Sequence, residues 1–291
     1  MQIRTRFAPS PTGRMHLGNL WIALLNWLWT KQHRGTLILR MEDIDQARCR
    51  KEYEKGILED LAWMGLTFDE IPGQKYSYGS VIQSERYPAY EEIFQTMRRN
   101  ESIYPCYCNR SRIHQIASAP HEGEEAPLYD GHCRFLTDKE RGEMTKKPSW
   151  RVKMEDGDIA FMDIFLGNRS RHLRAGQDDF LIRRADGLIA YQLAVSMDDG
   201  KMGITHVFRG NDLLPSTPFQ VYLMKKMNFT PPVYGHLPLL VDKEGTRLSK
   251  RQQGITIQEL RDKGFTPENL TGYLLFLAGS IGEPRPMRLE E

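Results

Sequence analysis

The chain has 291 residues, 40% of them hydrophobic and 27% charged, with 40 Lys and Arg against 38 Asp and Glu. That length and profile fit a soluble globular protein of one large or two modest domains and exclude a fibrous or disordered chain. A net charge of +2 and a pI near 8.3 permit an RNA partner without demanding one, so any RNA footprint rests on local patches such as Arg48, Arg50 and Lys51, or Lys146 and Lys147.

Residues 3–7 alternate and read as a strand, which Pro9, Ser10, Pro11 and Gly13 end. From Leu17 the pattern is helical. His16 and Gly18 therefore sit at a strand-to-helix junction, where free backbone N–H groups and the helix dipole favour phosphate and a glycine admits close approach. A Pro-rich loop with a surface histidine fits those residues as well. The apolar run 17–29 contains Asn19 and Asn26 and is too short to span a bilayer. Lys31-Gln-His-Arg34 follows it, where a signal peptide would have small residues. It is read as a mostly buried helix of a cytoplasmic protein that engages no membrane. Residues 36–41 are near-continuously apolar, as suits a parallel sheet covered on both faces. Glu42-Asp-Ile-Asp45 follows at the carboxyl end, the edge where open α/β sheets take ligands. Glu42 there is placed to hold an ammonium group, although a solvated helix cap is the ordinary role of such acids. Residues 52–65 and 85–100 read as amphipathic helices.

Between about 101 and 190 the character changes. Cys106, Cys108 and Cys133 cluster, while Cys49 stands apart, and cysteines without an export signal favour metal over disulfides. The three supply soft ligands for zinc, with His132, His121, His114 or Tyr129 as the fourth. Zinc chemistry alone favours a histidine, and three plain buried cysteines are the alternative. A polar loop at 120–125 is followed by short β-like runs at 149–154, 159–164 and 180–183, with a hairpin turn at Ala185-Asp-Gly187. The whole segment reads as an insertion between two halves of a sheet.

The return half begins near Tyr191 and leads to a strand at 203–209 that ends on Arg209. Ser216-Thr-Pro218 is a good helix start, with a cap hydroxyl and a proline in the first turn. A helix at 221–227, a strand at 237–241 and a turn at 242–245 precede Arg247-Leu-Ser-Lys-Arg251, by itself a solvated basic turn. Two helices, 257–263 and 267–278, close the chain. A ligand with a carboxylate side chain calls for a bidentate guanidinium, and Arg6 and Arg209 each end a predicted strand in opposed halves of the sheet.

Taken in order, these elements carry a resemblance. His16-Leu-Gly-Asn19 resembles the HIGH signature of class I aminoacyl-tRNA synthetases, and Arg247 to Arg251 resembles their KMSKS loop. Arg6-Phe-Ala-Pro-Ser-Pro-Thr-Gly13 and Arg40-Met-Glu-Asp-Ile-Asp45 are similar to the glutamyl and glutaminyl branch. Tyr129-Asp-Gly-His-Cys133 with Cys106-Tyr-Cys108 resembles the zinc site of the glutamyl-Q tRNA(Asp) synthetase family. The resemblance spans nearly the whole chain. It implies an α/β fold, a class I synthetase Rossmann-type parallel sheet interrupted by a zinc-bearing insertion, with a short C-terminal helical region that contacts a tRNA stem. The expected division is 1–100 and 191–233 as the two halves of the catalytic domain and 101–190 as the acceptor-type insertion. Residues 234–291 would carry the KMSKS-like loop and C-terminal helices, with no anticodon-binding domain.

The activity implied is attack of an amino-acid carboxylate on the α-phosphate of ATP, carried with Mg2+, expelling pyrophosphate. Such chemistry needs positioning and positive charge more than covalent help. His16, Gly18 and Lys250 would be catalytic, and His16, Gly18, Asn19 and Lys250 would hold ATP. Arg6, Ala8, Ser10, Glu42, Tyr191 and Arg209 match the glutamate pocket, with Glu42 on the amino group. Glutamyl-tRNA synthetases typically carry Asn four residues after that tyrosine; Val195 stands here, so the affinity for glutamate is expected to differ. For zinc the resemblance implies one closed structural site of Cys106, Cys108, Tyr129 and Cys133, with His132 the physical rival of Tyr129. Lys250 is followed by 41 residues in this chain of 291, too few for the helical anticodon-binding region of a full glutamyl-tRNA synthetase. Together these features imply activation of L-glutamate without tRNA and transfer to the queuosine base in the anticodon loop of tRNA(Asp), by a protein expected to act as a monomer. Two other enzymes stay open: a truncated glutamyl-tRNA synthetase charging the 3′ end of tRNA(Glu), and a ligase with a non-tRNA acceptor. A pseudo-synthetase that only binds RNA is disfavoured by the filled catalytic positions.

Overall fold

The computed structural model describes residues 2–109, 129–241 and 255–291. Its first unit is β1 (Arg4–Phe7), α1 (Leu17–Gln32) and β2 (Thr36–Leu39). The two strands pair in parallel, Arg4 with Thr36 through Phe7 with Leu39, and α1 is the crossover between them. Most residues of both strands are buried, because helices and neighbouring loops cover both faces. Helices α2 (Lys51–Trp63) and α3 (Tyr87–Arg99) follow. In α3 the buried Tyr90, Phe94 and Met97 recur at i, i+4 and i+7, and Arg98 and Arg99 complement the last turn.

Two kinds of sheet form in the span read as an insertion. β3 (Ile103–Cys106), β4 (Ser149–Val152) and β7 (Leu181–Arg183) are antiparallel in the order β3-β4-β7. A short helix α4 (Asp138–Gly142) precedes β4, started by Thr137 and Glu140 in a reciprocal cap. The hairpin of β5 (Gly157–Asp163) and β6 (Gly167–Leu173) leaves this group and joins the return half of the main sheet through Asp163 opposite Tyr234.

The return half is α5 (Tyr191–Lys201), β8 (His206–Gly210), α6 (Thr217–Lys226) and β9 (Val233–Leu237). β8 and β9 are parallel. At their start, Thr205 N–H donates to Arg4 O and Val233 N–H to Thr205 O, each at 2.9 Å, which sets the order β2-β1-β8-β9. Beyond that point no ladder joins β1 to β8 among the described residues. The Phe208 carbonyl instead accepts from buried side chains, Asn26 Nδ2 at 3.3 Å and Arg6 Nη1 at 3.5 Å. The splay between these two strands opens the site.

Helices α7 (Ile257–Asp262) and α8 (Pro267–Leu277), capped by Thr256 and Thr266, fold back on the first half. Their Ile257, Leu260, Leu270 and Leu274 share a core with Leu20, Leu24, Leu39 and Leu61. A second core joins Tyr90 and Phe94 of α3, Ile103, Val152 and Ile182 of the antiparallel sheet, Leu193 of α5 and Leu223 of α6. Among the described residues no helix is long and apolar enough to cross a membrane.

The sheet differs from its sequence reading in three places. The strand expected at 237–241 lies at Val233–Leu237, because Pro238 has no N–H to continue the ladder. β3 was not foreseen, since Pro105 interrupts its pattern. Nor was β6, an exposed polar strand that needs no apolar alternation.

Candidate active site

The loops after β1 and β8 enclose a cavity of about 550 Å³ at the carboxyl ends of the parallel strands. Arg6, Ala8, Ser10, His16, Gly18, Asn19, Glu42, Tyr191 and Arg209 all line it. Residues that are far apart in sequence thus converge on one space. Val195 is fully buried in α5 and does not line that space. Lys250, with the rest of 247–251, lies outside the described residues. The described flanks of that segment both reach the cavity: Leu239 and Leu240 line it, and Thr256 forms a bridge to His16, reinforced by Ile257 N–H to Met15 O at 3.0 Å.

Two buried arginines organise the β1 side. Arg6 Nε donates to Asp199 Oδ1 at 3.2 Å, and Arg40 Nη1 donates to the same oxygen at 2.6 Å. Arg40 Nη2 donates to Glu42 Oε1 at 2.9 Å. Against the cost of burial, the Arg6 and Arg40 guanidiniums hold the Asp199 carboxyl below its ordinary range. Burial raises Glu42, opposed by Arg40 and Arg6. A ligand ammonium beside Glu42 would restore its preference for the charged form.

On the β8 side Arg209 is held by all three guanidinium nitrogens. Nε donates to His236 Nε2 at 3.1 Å, Nη1 to Gln220 Oε1 at 2.7 Å and Nη2 to Thr217 Oγ1 at 2.7 Å. Gln220 Nε2 in turn donates to Gln192 Oε1 at 2.8 Å. The guanidinium lies 5.1 Å from the centre of the Tyr234 ring. Tyr191 opens α5 at the cavity wall.

His16 is the residue before α1, and its carbonyl accepts from Asn19 N–H at 2.9 Å and Leu20 N–H at 3.1 Å. Asn19 Oδ1 accepts from His16 N–H at 3.2 Å, which ties the turn. Burial lowers the pKa of the imidazole. A Cβ at Gly18 would stand 3.2 Å from Cε1 and Nδ1 of His16. The glycine therefore makes room for the histidine ring itself, a role closer to hand than the ligand approach read from the sequence.

The cysteine cluster lies apart, between the end of β3 and a 3-10 turn at His132–Phe135. The sulfurs of Cys106, Cys108 and Cys133 lie within 4.8 Å of one another, Cys108 and Cys133 at 3.5 Å. Zinc bonds to sulfur of about 2.3 Å require about 3.8 Å between sulfurs of a tetrahedral site, so the three thiols fit that ion. The buried Tyr129 hydroxyl is 3.6 Å from Cys106 Sγ and accepts from Cys133 N–H at 3.0 Å. His132 is exposed, and His114 and His121 lie outside the described residues. Arg151 Nε donates to Cys106 Sγ at 3.3 Å, and its guanidinium lies 4.0 Å from the centre of the Tyr129 ring. A hydrogen bond from the Cys133 thiol, with Arg151 beside it, pulls Cys106 down to about 4 against burial, while that same bond pushes Cys133 up. A thiolate is the form that binds metal.

Sequence reasoning missed Asp163, Asp199, Thr217, Gln220 and His236 and gave Arg40 no role of its own. One signal was present for Asp199: the pair Asp198-Asp199 interrupts an apolar stretch, and buried acids in a helix demand cations.

Over residues 2–286 the chain matches the family of tRNA synthetases class I (E and Q), catalytic domain. It is 44% identical over 290 residues to the glutamyl-Q tRNA(Asp) synthetase of Symbiobacterium thermophilum, covering 98% of this chain and 90% of that protein. It is 45% identical over 282 residues to the protein of the same name from Nitratidesulfovibrio vulgaris, covering 96% and 87%. The crystal structure of glutamate-tRNA synthetase from Elizabethkingia anophelis superposes with a TM-score of 0.84 at 29% identity over all of this chain and 65% of that one. The chain thus spans just under two thirds of that longer protein.

Proposed function

Because this chain belongs to the class I tRNA synthetases of the E and Q branch and, within them, to the glutamyl-Q tRNA(Asp) synthetases, we propose that it is a ligase that activates L-glutamate with ATP in the absence of tRNA and transfers it to queuosine in the anticodon loop of tRNA(Asp). The observation that carries this proposal is the convergence of Arg6, Glu42, Tyr191 and Arg209 with His16 and Gly18 in one cavity.

Arg6 and Arg209 offer guanidinium donors to the glutamate side chain, Glu42 takes the amino group, and Ala8, Ser10 and Tyr191 complete the wall. That leaves the α-carboxylate free to attack the α-phosphorus of ATP, forming glutamyl-adenylate and releasing pyrophosphate. His16 and the backbone N–H groups at the start of α1, with Asn19 tying that turn, donate to phosphate oxygens as charge develops. Lys250 neutralises the departing pyrophosphate from a segment whose described flanks both meet the cavity. Mg2+, when bound with ATP, screens the phosphate charge. An acceptor group on queuosine then takes the glutamyl carbonyl, and AMP leaves. Cys106, Cys108 and Cys133, with Tyr129 rather than His132, would hold one structural zinc that pins the turn after β3. In this scheme 1–100 and 191–233 are the catalytic halves, 101–190 bears the zinc, and 234–291 carries Lys250 and the last helices of a monomer.

Charging of tRNA(Glu) is the second reading, favoured by the Elizabethkingia structure. Identity of 44–45% to the glutamyl-Q enzymes, over 87–90% of their length, against 39% to the glutamate–tRNA ligase 2 of Syntrophus aciditrophicus, over 60% of its length, supports the first. ATP–pyrophosphate exchange with glutamate and no tRNA tests the activation step. Exchange that needs glutamate, is lost in Arg209→Ala and is not supported by aspartate is expected. No exchange, or exchange only when tRNA is added, overturns the proposed order of events.

A further inference from the structure

We infer that His236, held in one tautomer by Asp163, is the positioning residue that aims Arg209 into the glutamate cavity, so that affinity for glutamate depends on a buried chain entering from the β5–β6 hairpin. The inference rests on the placement of Arg209 in the glutamate pocket proposed above. His236 is in β9 and Asp163 ends β5, close to where these strands pair. Asp163, His236 and Arg209 are all buried.

The donors and acceptors along this chain have one consistent assignment. Asp163 Oδ2 is 2.6 Å from His236 Nδ1, and a carboxylate only accepts, so Nδ1 carries the proton. Arg209 Nε only donates and is 3.1 Å from Nε2, so Nε2 is the acceptor. The tautomer is fixed from both sides. Thr217 closes a triangle: its Oγ1 accepts from Arg209 Nη2 at 2.7 Å and lies 3.0 Å from His236 Nε2. Asp163 cannot swing away, because Oδ2 also accepts His236 N–H at 3.2 Å and Oδ1 accepts the N–H groups of Phe165 and Leu166 at 3.0 Å. Burial, with the Arg209 charge, pushes His236 down to about 4, so the ring is neutral at neutral pH, as its acceptor role requires.

Glutamate-dependent exchange kinetics on the full chain test this, with separate KM values for glutamate and ATP. His236→Leu keeps the bulk and removes the acceptor; the KM for glutamate should rise about tenfold or more, while that for ATP stays within about twofold. His236→Gln, with an amide oxygen for Arg209 and an amide N–H for Asp163, should recover most of the loss. If His236→Leu does not fold, Asp163→Asn carries the test, since it loses the carboxylate that fixes the His236 tautomer without touching Arg209, with a rise of about threefold to tenfold in the same KM. An unchanged glutamate KM in the folded variant, equal rises in both KM values, or a glutamine variant as weak as the leucine one overturns the inference. A parent chain with no glutamate-dependent exchange overturns the proposed function instead.

Discussion

Asp199→Asn changes one buried atom from charged oxygen to amide nitrogen and nearly nothing in volume. Asp199 is 3% exposed, and its Oδ1 takes Arg6 Nε at 3.2 Å and Arg40 Nη1 at 2.6 Å. Without the charge, the two desolvated guanidiniums keep Glu42, whose own carboxylate burial disfavours, and for Arg40 the charge of Asp198. Removing one partner from a buried ion pair costs about 3–5 kcal/mol, since the remaining charge stays out of water. The amide oxygen still accepts one of the two bonds, so the loss expected is near the lower end, about 3 kcal/mol. For a chain of this size that lowers Tm by about 5 °C. Urea and thermal melts at pH 7 read the loss. The sign with pH follows from the depressed carboxyl. Its contribution is full above its ordinary value of 3.8 and is lost as pH falls through the lower folded value. The gap between parent and variant therefore holds from pH 7 to about 5 and closes only under stronger acid. Freed of its tether, Arg6 should also let the KM for glutamate rise. A variant that melts within about 2 °C of the parent, or whose gap closes already near pH 6, refutes the reasoning.

The other expectations use different handles. A Cβ at Gly272 of α8 would run into the Arg285 carbonyl oxygen, a backbone atom, so Gly272→Ala should cost about 1–3 kcal/mol in a urea melt and expose the C-terminal segment to protease. Gly18→Ala should lower exchange by about tenfold to a hundredfold by displacing the His16 ring, while helix propensity keeps Tm level or raises it slightly; a parallel loss of Tm counts against this. Cys106→Ser should lose bound zinc by elemental analysis and loosen β3 and β4 in hydrogen exchange, and a variant that keeps about one zinc per chain excludes the site. His236 stays neutral down to about 4 in the fold and titrates near 6.5 when unfolded, so the unfolded chain binds the extra proton between those values and this group's contribution falls with acid. Asp60, raised to about 6 by burial, acts in the opposite sense. The check is therefore the difference between parent and His236→Gln, which should move toward the variant by about 1.4 kcal/mol per pH unit from 6.5 toward 4.

What the sequence made legible was local. The end of β1, the Pro and Gly residues after it and the start of α1 are written in adjacent residues, and so are β2 and the acids that follow it. The residues singled out there line one cavity with Tyr191 and Arg209. What stayed hidden was the network behind them. Arg40 meets Asp199 across 159 positions and Asp163 meets His236 across 73, and no spacing rule connects such pairs. The choice between Tyr129 and His132 is of the same kind. Both flank Cys133, and only the fold shows one hydroxyl buried against the sulfurs and one imidazole exposed. The shifted strand at β9 had a readable signal in Pro238, which an apolar run obscured.

The most direct test is transfer of labelled glutamate to total tRNA, followed by nuclease digestion and identification of the labelled nucleotide. Label on queuosine of tRNA(Asp), formed from adenylate made before tRNA is added, is the expected result. Label on the 3′ end of tRNA(Glu), with none in the anticodon loop of tRNA(Asp), contradicts it.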